Sequence, residues 1–342
     1  MSAANYKDAG VDIAAGNRAV QLMKAAVQST YGKEVLAGIG AFGGLFDAGK
    51  LKGMDAPVLV ASTDGVGTKT KIASALGRFD TIGHDIVGHC INDILVQGAR
   101  PLFFLDYVAF NKLDPERVAA IVTGIAAACK TAGCALLGGE TAEMPGVYAE
   151  NEFDLVGTII GVVDRAKIID GSGIKPGDVI IGLPSAGLHT NGFSLARKVL
   201  AKRDLRAQAP ELGITLGDAL LAPHRSYLDD LERVFAAGVT VKGMAHITGG
   251  GLIENPPRIL PDGVAARIRM GSWAVPPLFE MLQRDGNIEA LEMARVFNMG
   301  LGMLVFVAKT DAAKTLAAFG AEARIVGEAV ARSGEPVEII PA

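Results

Sequence analysis

The segment Asp64-Gly-Val-Gly-Thr-Lys69 joins, within six residues, a carboxylate that can bind a cation, two glycines that expose backbone N–H groups, a hydroxyl and an ammonium. Magnesium and phosphate together call for that set: hard oxygen ligands for the ion, donors and positive charge for the anion. An ordinary Asp-Gly turn with a solvated lysine would carry the same residues. Asp93, Glu140 and Glu143 are further carboxylates of the same half of the chain, and each alone reads as surface charge. Asp64, Asp93 and Glu140 on elements around one sheet favour a magnesium nucleotide site. A second polar set, Gly187-Leu-His-Thr-Asn-Gly192, follows an apolar run. His189 there suits contact with a ligand and equally suits a hydrogen-bonded structural role. Thr248-Gly-Gly-Gly251 offers backbone donors to a phosphate or simply makes a tight turn. His84, His89, His224 and His246 share no metal-ligand spacing.

Two other glycine motifs are coincidences of a glycine-rich stretch. Gly38-Ile-Gly-Ala-Phe-Gly43 has dinucleotide-fingerprint spacing but runs into Gly44 and turn-forming residues instead of a helix. Gly44 to Lys50 spells most of a phosphate loop, yet Leu51 stands where the metal-binding hydroxyl belongs.

The elements that must position these residues follow from periodicity. Asn17 is read as the cap of a helix running to about Thr30, with Val20, Met23 and Val27 on one face. Pro57 to Thr63 is a β-branched strand that opens into the Asp64 to Lys69 loop. Thr81 to Gln97 makes a helix with one apolar face, and Asp85, His89, Asn92 and Asp93 lie on or beside the other. Leu102–Phe110 is a strand, Asp114-Pro115 starts a helix ending near Gly133, and Cys134–Leu137 is a short strand before a Gly138-Gly139 turn. Phe153–Val163 closes this half, and a boundary falls near 165 to 176. The second half also mixes strands and helices: a strand over Val179–Leu183, a helix from the His189 turn to about Lys202, a helix near 223 to 237, strands toward Ile247 and across 302 to 307, and helices near 276 to 284 and from Asp311.

Composition bounds the function classes. At 342 residues, 50% hydrophobic and 20% charged, the chain can bury a large core and is long enough for two domains. A net charge of −4 without a Lys/Arg block argues against nucleic-acid and anionic-membrane surfaces. Cys90, Cys129 and Cys134 form no Cys-x-x-Cys pair, which argues against a disulfide framework and a structural zinc. Without a secretory leader or an apolar run of spanning length, the expectation is a soluble protein of a reducing compartment. The 43 glycines, about 13% against about 7% in average usage, cluster between elements, where backbone can approach ligands.

Tyr6-Lys-Asp-Ala-Gly-Val-Asp-Ile13, Ser62 to Lys69, Asn92-Asp93, Gly98 to Tyr107, Leu137 to Gly146, Gly187 to Ser194, His246 to Gly251 and Phe297 to Met303 together resemble the phosphoribosylformylglycinamidine cyclo-ligases, the AIR synthetases, in order over nearly the whole chain. His84 and His89 stand where that family has aliphatic or small residues. The resemblance implies an α/β protein of two lobes. Residues 1–168 would bind ATP and dimerise, with a mixed four-stranded sheet pairing across a homodimer into a barrel. Residues 169–342 would form a substrate-side α/β lobe. It implies ATP-dependent cyclisation of formylglycinamidine ribonucleotide to aminoimidazole ribonucleotide in the cytoplasm, with Mg2+ and a monovalent cation as candidate cofactors. ATP contacts would fall to Lys24, Asp64, Gly65, Gly67, Thr68, Lys69, Asn92, Asp93, Glu140 and Thr141, with the metal on Asp64, Asp93 and Glu140. Substrate contacts would fall to His189, Thr190, Asn191, Thr248, Gly249, Gly250 and Gly251, and the catalytic roles to Lys69, His189 and Asp93. The same superfamily holds thiamine-phosphate kinases and selenophosphate synthetases as alternatives. The latter would carry a reactive cysteine or selenocysteine near the N-terminus, and the first cysteine here is Cys90.

Overall fold

A computed structural model describes residues 10–341, so the start of the Tyr6–Ile13 motif lies outside the described residues. The chain divides into two units: residues up to Ile94 with Ala99–Ala166, and Leu95–Gly98 with the remainder. Among the described residues no helix is long and apolar enough to cross a membrane.

The first unit begins with α1 (Ile13–Gln28), whose cap is Asp12 and not Asn17. The Asp12 carboxylate accepts from the N–H groups of Ala14 and Ala15, and its own N–H donates to Glu143, so the start is fixed four residues earlier than apolar spacing suggested. A short hairpin, β1 (Val35–Ala37) and β2 (Leu45–Phe46), carries the Gly38–Gly44 run in its connection. Then come β3 (Pro57–Gly65), α2 (Lys69–Leu76), α3 (Ile82–Leu95), β4 (Arg100–Phe110), α4 (Pro115–Thr131), β5 (Ala135–Glu143) and β6 (Phe153–Asp164). Asp114 caps α4 as expected, accepting from Arg117 N, with Pro115 in the first turn.

The four long strands form one mixed sheet in the order β3-β6-β4-β5, parallel only between β4 and β5. The helix α3 packs on one face. Side-chain carbons at Gly157 and Gly161 of β6 would strike Ile86 and Ile94 of that helix, so glycines there let it sit close. The other face is open at β3, where Leu59 is 63% exposed and the Thr63 and Thr158 hydroxyls pair in solvent. Two expectations change. Gly138 and Gly139 continue β5 instead of turning, and Lys69 opens a helix instead of ending a loop.

The second unit comprises β7 (Val179–Pro184), α5 (Phe193–Val199), β8 (Gln208–Ala209), β9 (Ile214–Thr215), α6 (Leu216–Leu221), α7 (Leu228–Ala236), β10 (Val241–His246), α8 (Gly251–Glu254), β11 (Val264–Arg269), α9 (Pro277–Gly286), α10 (Ala290–Val296), β12 (Leu301–Val307), α11 (Ala312–Phe319), β13 (Arg324–Ala331) and β14 (Val337–Ile340). Six strands form a sheet in the order β10-β12-β7-β13-β11-β14, antiparallel apart from the β11–β14 pair. Every residue of β12 is buried, which marks it as the spine of this core.

Candidate functional site

In the first unit the polar stripe of α3 faces inward. Asp85 and Asn92 are fully buried and His89 nearly so, although amphipathic spacing placed them on a polar helix surface. The stripe meets the residues leaving β3. His89 Nε2 donates to Asp64 Oδ2 at 2.8 Å and lies 3.8 Å from Asp93 Oδ2, while Ser62 Oγ donates to Asp93 at 3.0 Å. Asp64 and Asp93, whose side chains remain 38% and 26% exposed, are therefore gathered around one imidazole. Burial alone would lower the His89 pKa. The hydrogen bond from Asp64 and the charges of Asp93, Asp64 and Asp85 outweigh it and raise the pKa from its ordinary value.

Lys69 does not reach out to a ligand as the sequence suggested. Its side chain is wholly buried and Nζ bonds Asp85 Oδ1 at 2.8 Å, tying the first turn of α2 to α3. Burial lowers its pKa, with Asp85 opposing the shift. Gly65 ends β3, Gly67 holds φ +67°, and Thr68 sits at the N-terminal boundary of α2, so the positive end of that helix lies in the chain segment directly after Asp64.

Glu140 is not part of this cluster. Across the sheet, Asp64 pairs with Gly157, Gly157 with Asp106, and Asp106 with Gly139, a row sharing one face. Glu140 follows Gly139 and so points to the opposite face, on the opposite edge strand, three strand spacings or roughly 14 Å from Asp64. A single ion cannot take all three predicted carboxylates from one chain; the expected metal set is corrected to Asp64 and Asp93. Glu140 and Thr141 instead line a cleft of about 1010 Å³ with the Gly38–Phe46 segment and residues of α1, and Lys24 is exposed on that helix beside the lining Met23. Glu143 is structural, accepting from the N–H groups of Asp12 and Leu113.

In the second unit the two predicted substrate-side segments meet at one end of the sheet. His189 sits in a left-handed conformation (φ +61°), is almost fully buried, and accepts at Nε2 from Ala186 N at 3.1 Å. Asn191 approaches Gly249, and its amide donates to Thr190 at 3.4 Å. The Thr248–Gly251 turn is shaped by Asn255, whose side chain bonds the carbonyls of Thr248, Gly249 and Gly251. Asn298 bonds Gly187 O, Ser185 Oγ and Gly300 N, bracing the other segment.

Family models described as AIR synthase related protein, N-terminal and C-terminal domains, match residues 47–163 and 175–340. A phosphoribosylformylglycinamidine cyclo-ligase of Desulfitobacterium hafniense (strain DSM 10664 / DCB-2) is 54% identical over 332 residues, 96% of this chain and 97% of that protein. The chain belongs to the phosphoribosylformylglycinamidine cyclo-ligase family. The Geobacillus kaustophilus cyclo-ligase is 53% identical, covering 96% of each chain. Solved structures share the fold at lower identity. Thiamine-monophosphate kinase from Stenotrophomonas maltophilia has TM-score 0.67 at 19% identity, covering 94% and 95% of the two chains. A hydrogenase maturation protein HypE in complex with ATP has TM-score 0.67 at 17%, covering 98% and 94%.

Within this family chain, reading by residue type passed over Asp85, His89, His224, His246, Asn255 and Asn298. A signal existed for the first two: Asp85, His89 and Asp93 recur at i, i+4 and i+8 in an otherwise apolar helix, which marks a buried polar stripe. The second unit offers no such local signal, because His189, His224 and His246 converge from three separate stretches of chain.

Proposed function

We propose that the chain catalyses ATP-dependent closure of the imidazole ring of aminoimidazole ribonucleotide from formylglycinamidine ribonucleotide, releasing ADP and phosphate, in de novo purine synthesis. The carrying observation is 54% identity over 96% of the chain to a protein named for that activity. ATP use is supported by the ATP complex of a fold relative and by the Asp64/Asp93 pair, whose hard, partly exposed oxygens suit magnesium.

The substrate's amide oxygen is a poor leaving group on a weakly electrophilic carbon. Transfer of the γ-phosphoryl group to that oxygen, with ADP departing, makes it a good leaving group. The amidine nitrogen then attacks the carbon, and the oxygen leaves within inorganic phosphate. No covalent enzyme intermediate is required. A magnesium ion held by Asp64 and Asp93 would supply charge neutralisation at the phosphates. The Gly65–Thr68 turn and the positive end of α2 would bind the phosphate chain, held in place by Lys69 from behind through Asp85. His189, Asn191 and the Thr248–Gly251 turn would orient the substrate, and Glu140, Thr141 and Lys24 would serve the nucleotide from the cleft. A homodimer joined through the open sheet face, where Leu59 is exposed, would bring the cleft of one chain to the carboxylates of the other. We assign this dimer to the cytoplasm.

The test is ATP-dependent formation of the aminoimidazole product, followed with substrate carrying a heavy formyl oxygen. The label is expected in inorganic phosphate after one turnover. Label released to water, or ATP consumption with thiamine phosphate and none with the amidine, would refute the assignment.

A further inference from the structure

His224, in the connection between α6 and α7, is 4% exposed and touches both predicted substrate segments. Its ring stacks on His189, with centroids 4.0 Å apart and planes 22° from parallel. Its Nδ1 lies 3.3 Å from Thr190 Oγ1, and its Nε2 lies 3.0 Å from Nε2 of His246, the last residue of β10 before the Thr248–Gly251 turn. Space for this arrangement comes from Gly302 on β12, between the strands that carry the two segments. A side-chain carbon there would lie 2.0 Å from the Tyr227 hydroxyl and 2.6 Å from His189 Cε1.

Three clustered histidines suggest a metal site, but the geometry opposes one. An imidazole binds a metal in its ring plane, and two rings stacked this closely aim side by side, not at a common point. His189 Nε2 already accepts from a backbone N–H. The His224–His246 contact instead has the form of an N–H···N hydrogen bond, in which one nitrogen presents its proton and the other its lone pair. Because a neutral ring carries one proton, the bond to Thr190 and the bond to His246 fix each other's direction through His224.

We propose that His224 is a positioning residue for the cyclisation, holding His189 by stacking and His246 by hydrogen bonding so that the 187–192 and 246–251 segments keep one spacing around the substrate. The inference rests on the functional reading above, in which those segments face the amidine nucleotide. Two variants separate the contacts. His224→Phe keeps a ring on His189 and loses both hydrogen bonds; His224→Gln keeps hydrogen-bonding capacity and loses the stack. Steady-state kinetics on the full-length enzyme should show the KM for formylglycinamidine ribonucleotide raised at least tenfold in His224→Phe and partly recovered in His224→Gln. The KM for ATP should stay within about twofold, as the ATP residues lie in the other unit. In ¹⁵N spectra of histidine-labelled protein, the His246 ring signal should move in His224→Phe and less in His224→Gln. Unchanged substrate KM in both folded variants, or equal rises in both KM values, would overturn the proposal while leaving the cyclo-ligase reading intact. If His224→Phe fails to fold, His224→Gln and Thr190→Val decide by the same kinetics. Absence of turnover in the unmutated enzyme would remove the functional reading, and this inference with it.

Discussion

In the first unit the buried polar groups are charged and settled in pairs: Lys69 on Asp85, and His89 against Asp64 and Asp93. In the second unit the substrate end of the sheet is settled by imidazoles, amides and hydroxyls: His224 with Thr190 and His246, Asn255 on three carbonyls, Asn298 on the 185–187 turn. The difference matches two tasks. A phosphoryl group in transfer needs fixed charge beside it, and charge in a low-dielectric site must be counterbalanced. An amidine that must fold back on itself needs shape and directed hydrogen bonds, which uncharged groups supply with a smaller desolvation cost.

The sharpest way to break this comparison is to unbalance the charged side. Lys69→Met leaves Asp85 buried without its ammonium, and the expected loss is about 3–5 kcal/mol of stability, read from denaturant unfolding. Lys69→Met combined with Asp85→Leu should recover most of that loss. A cost below about 1 kcal/mol for the single change would mean the pair is not what holds α2 on α3. Asp64→Asn and Asp93→Asn should act on rate instead, lowering turnover by about a hundredfold, roughly 2.7 kcal/mol of transition-state stabilisation, with melting temperature little changed. Near-normal turnover in both would move the metal elsewhere.

A smaller effect tests the separation of Glu140 from Asp64. If the two edges of the sheet serve one site only across a dimer, Asp64→Asn and Glu140→Gln chains are each inactive alone. Random re-pairing of the two makes half the dimers mixed, each with one intact site of two, so activity should return to about a quarter of the unmutated level. No recovery, from variants shown to exchange subunits, would mean that both residues act within one chain or that Glu140 acts outside the site.

The strands and the capped helix at Asp114 were legible because their signals are local: β-branched runs, and a cap followed by proline. Asp64 and Asp93 were legible as chemistry, since carboxylates at the ends of elements around a sheet have few other uses. Their separation from Glu140 was not, because strand order depends on pairings between segments about a hundred residues apart. Lys69 misled for a related reason. A lysine after two glycines reads as a phosphate ligand until α3 brings Asp85 to it, and nothing near Lys69 in sequence announces that partner. Asn17 competed with Asp12 as the helix cap, and the Glu143 contact that fixes Asp12 is 131 residues away.

The smallest expected effect concerns two aspartates, one in each unit. Asp178 in the second unit is 2% exposed and held by Lys242 Nζ at 2.7 and 2.8 Å. Asp106 in the first stands in the row between Gly157 and Gly139, and burial pushes its pKa up to about 7. An unfolded aspartate titrates near 3.9, so between about pH 4 and pH 7 the folded chain keeps a proton that the unfolded chain has released. Stability from this group is therefore full below about pH 4, falls as pH rises to about 7, and is level above. Asp106→Asn replaces the carboxyl with a group that cannot ionise, so the variant should match the unmutated chain at pH 4 and melt a few degrees higher at pH 8. Asp178→Asn should do the reverse at pH 8, lowering the melting temperature by stripping Lys242 of its partner. Melting curves of both variants at the two pH values decide it: an Asp106→Asn protein less stable at pH 8 than at pH 4, relative to its parent, would mean that the ionised Asp106 is stabilised by a contact that outweighs its burial.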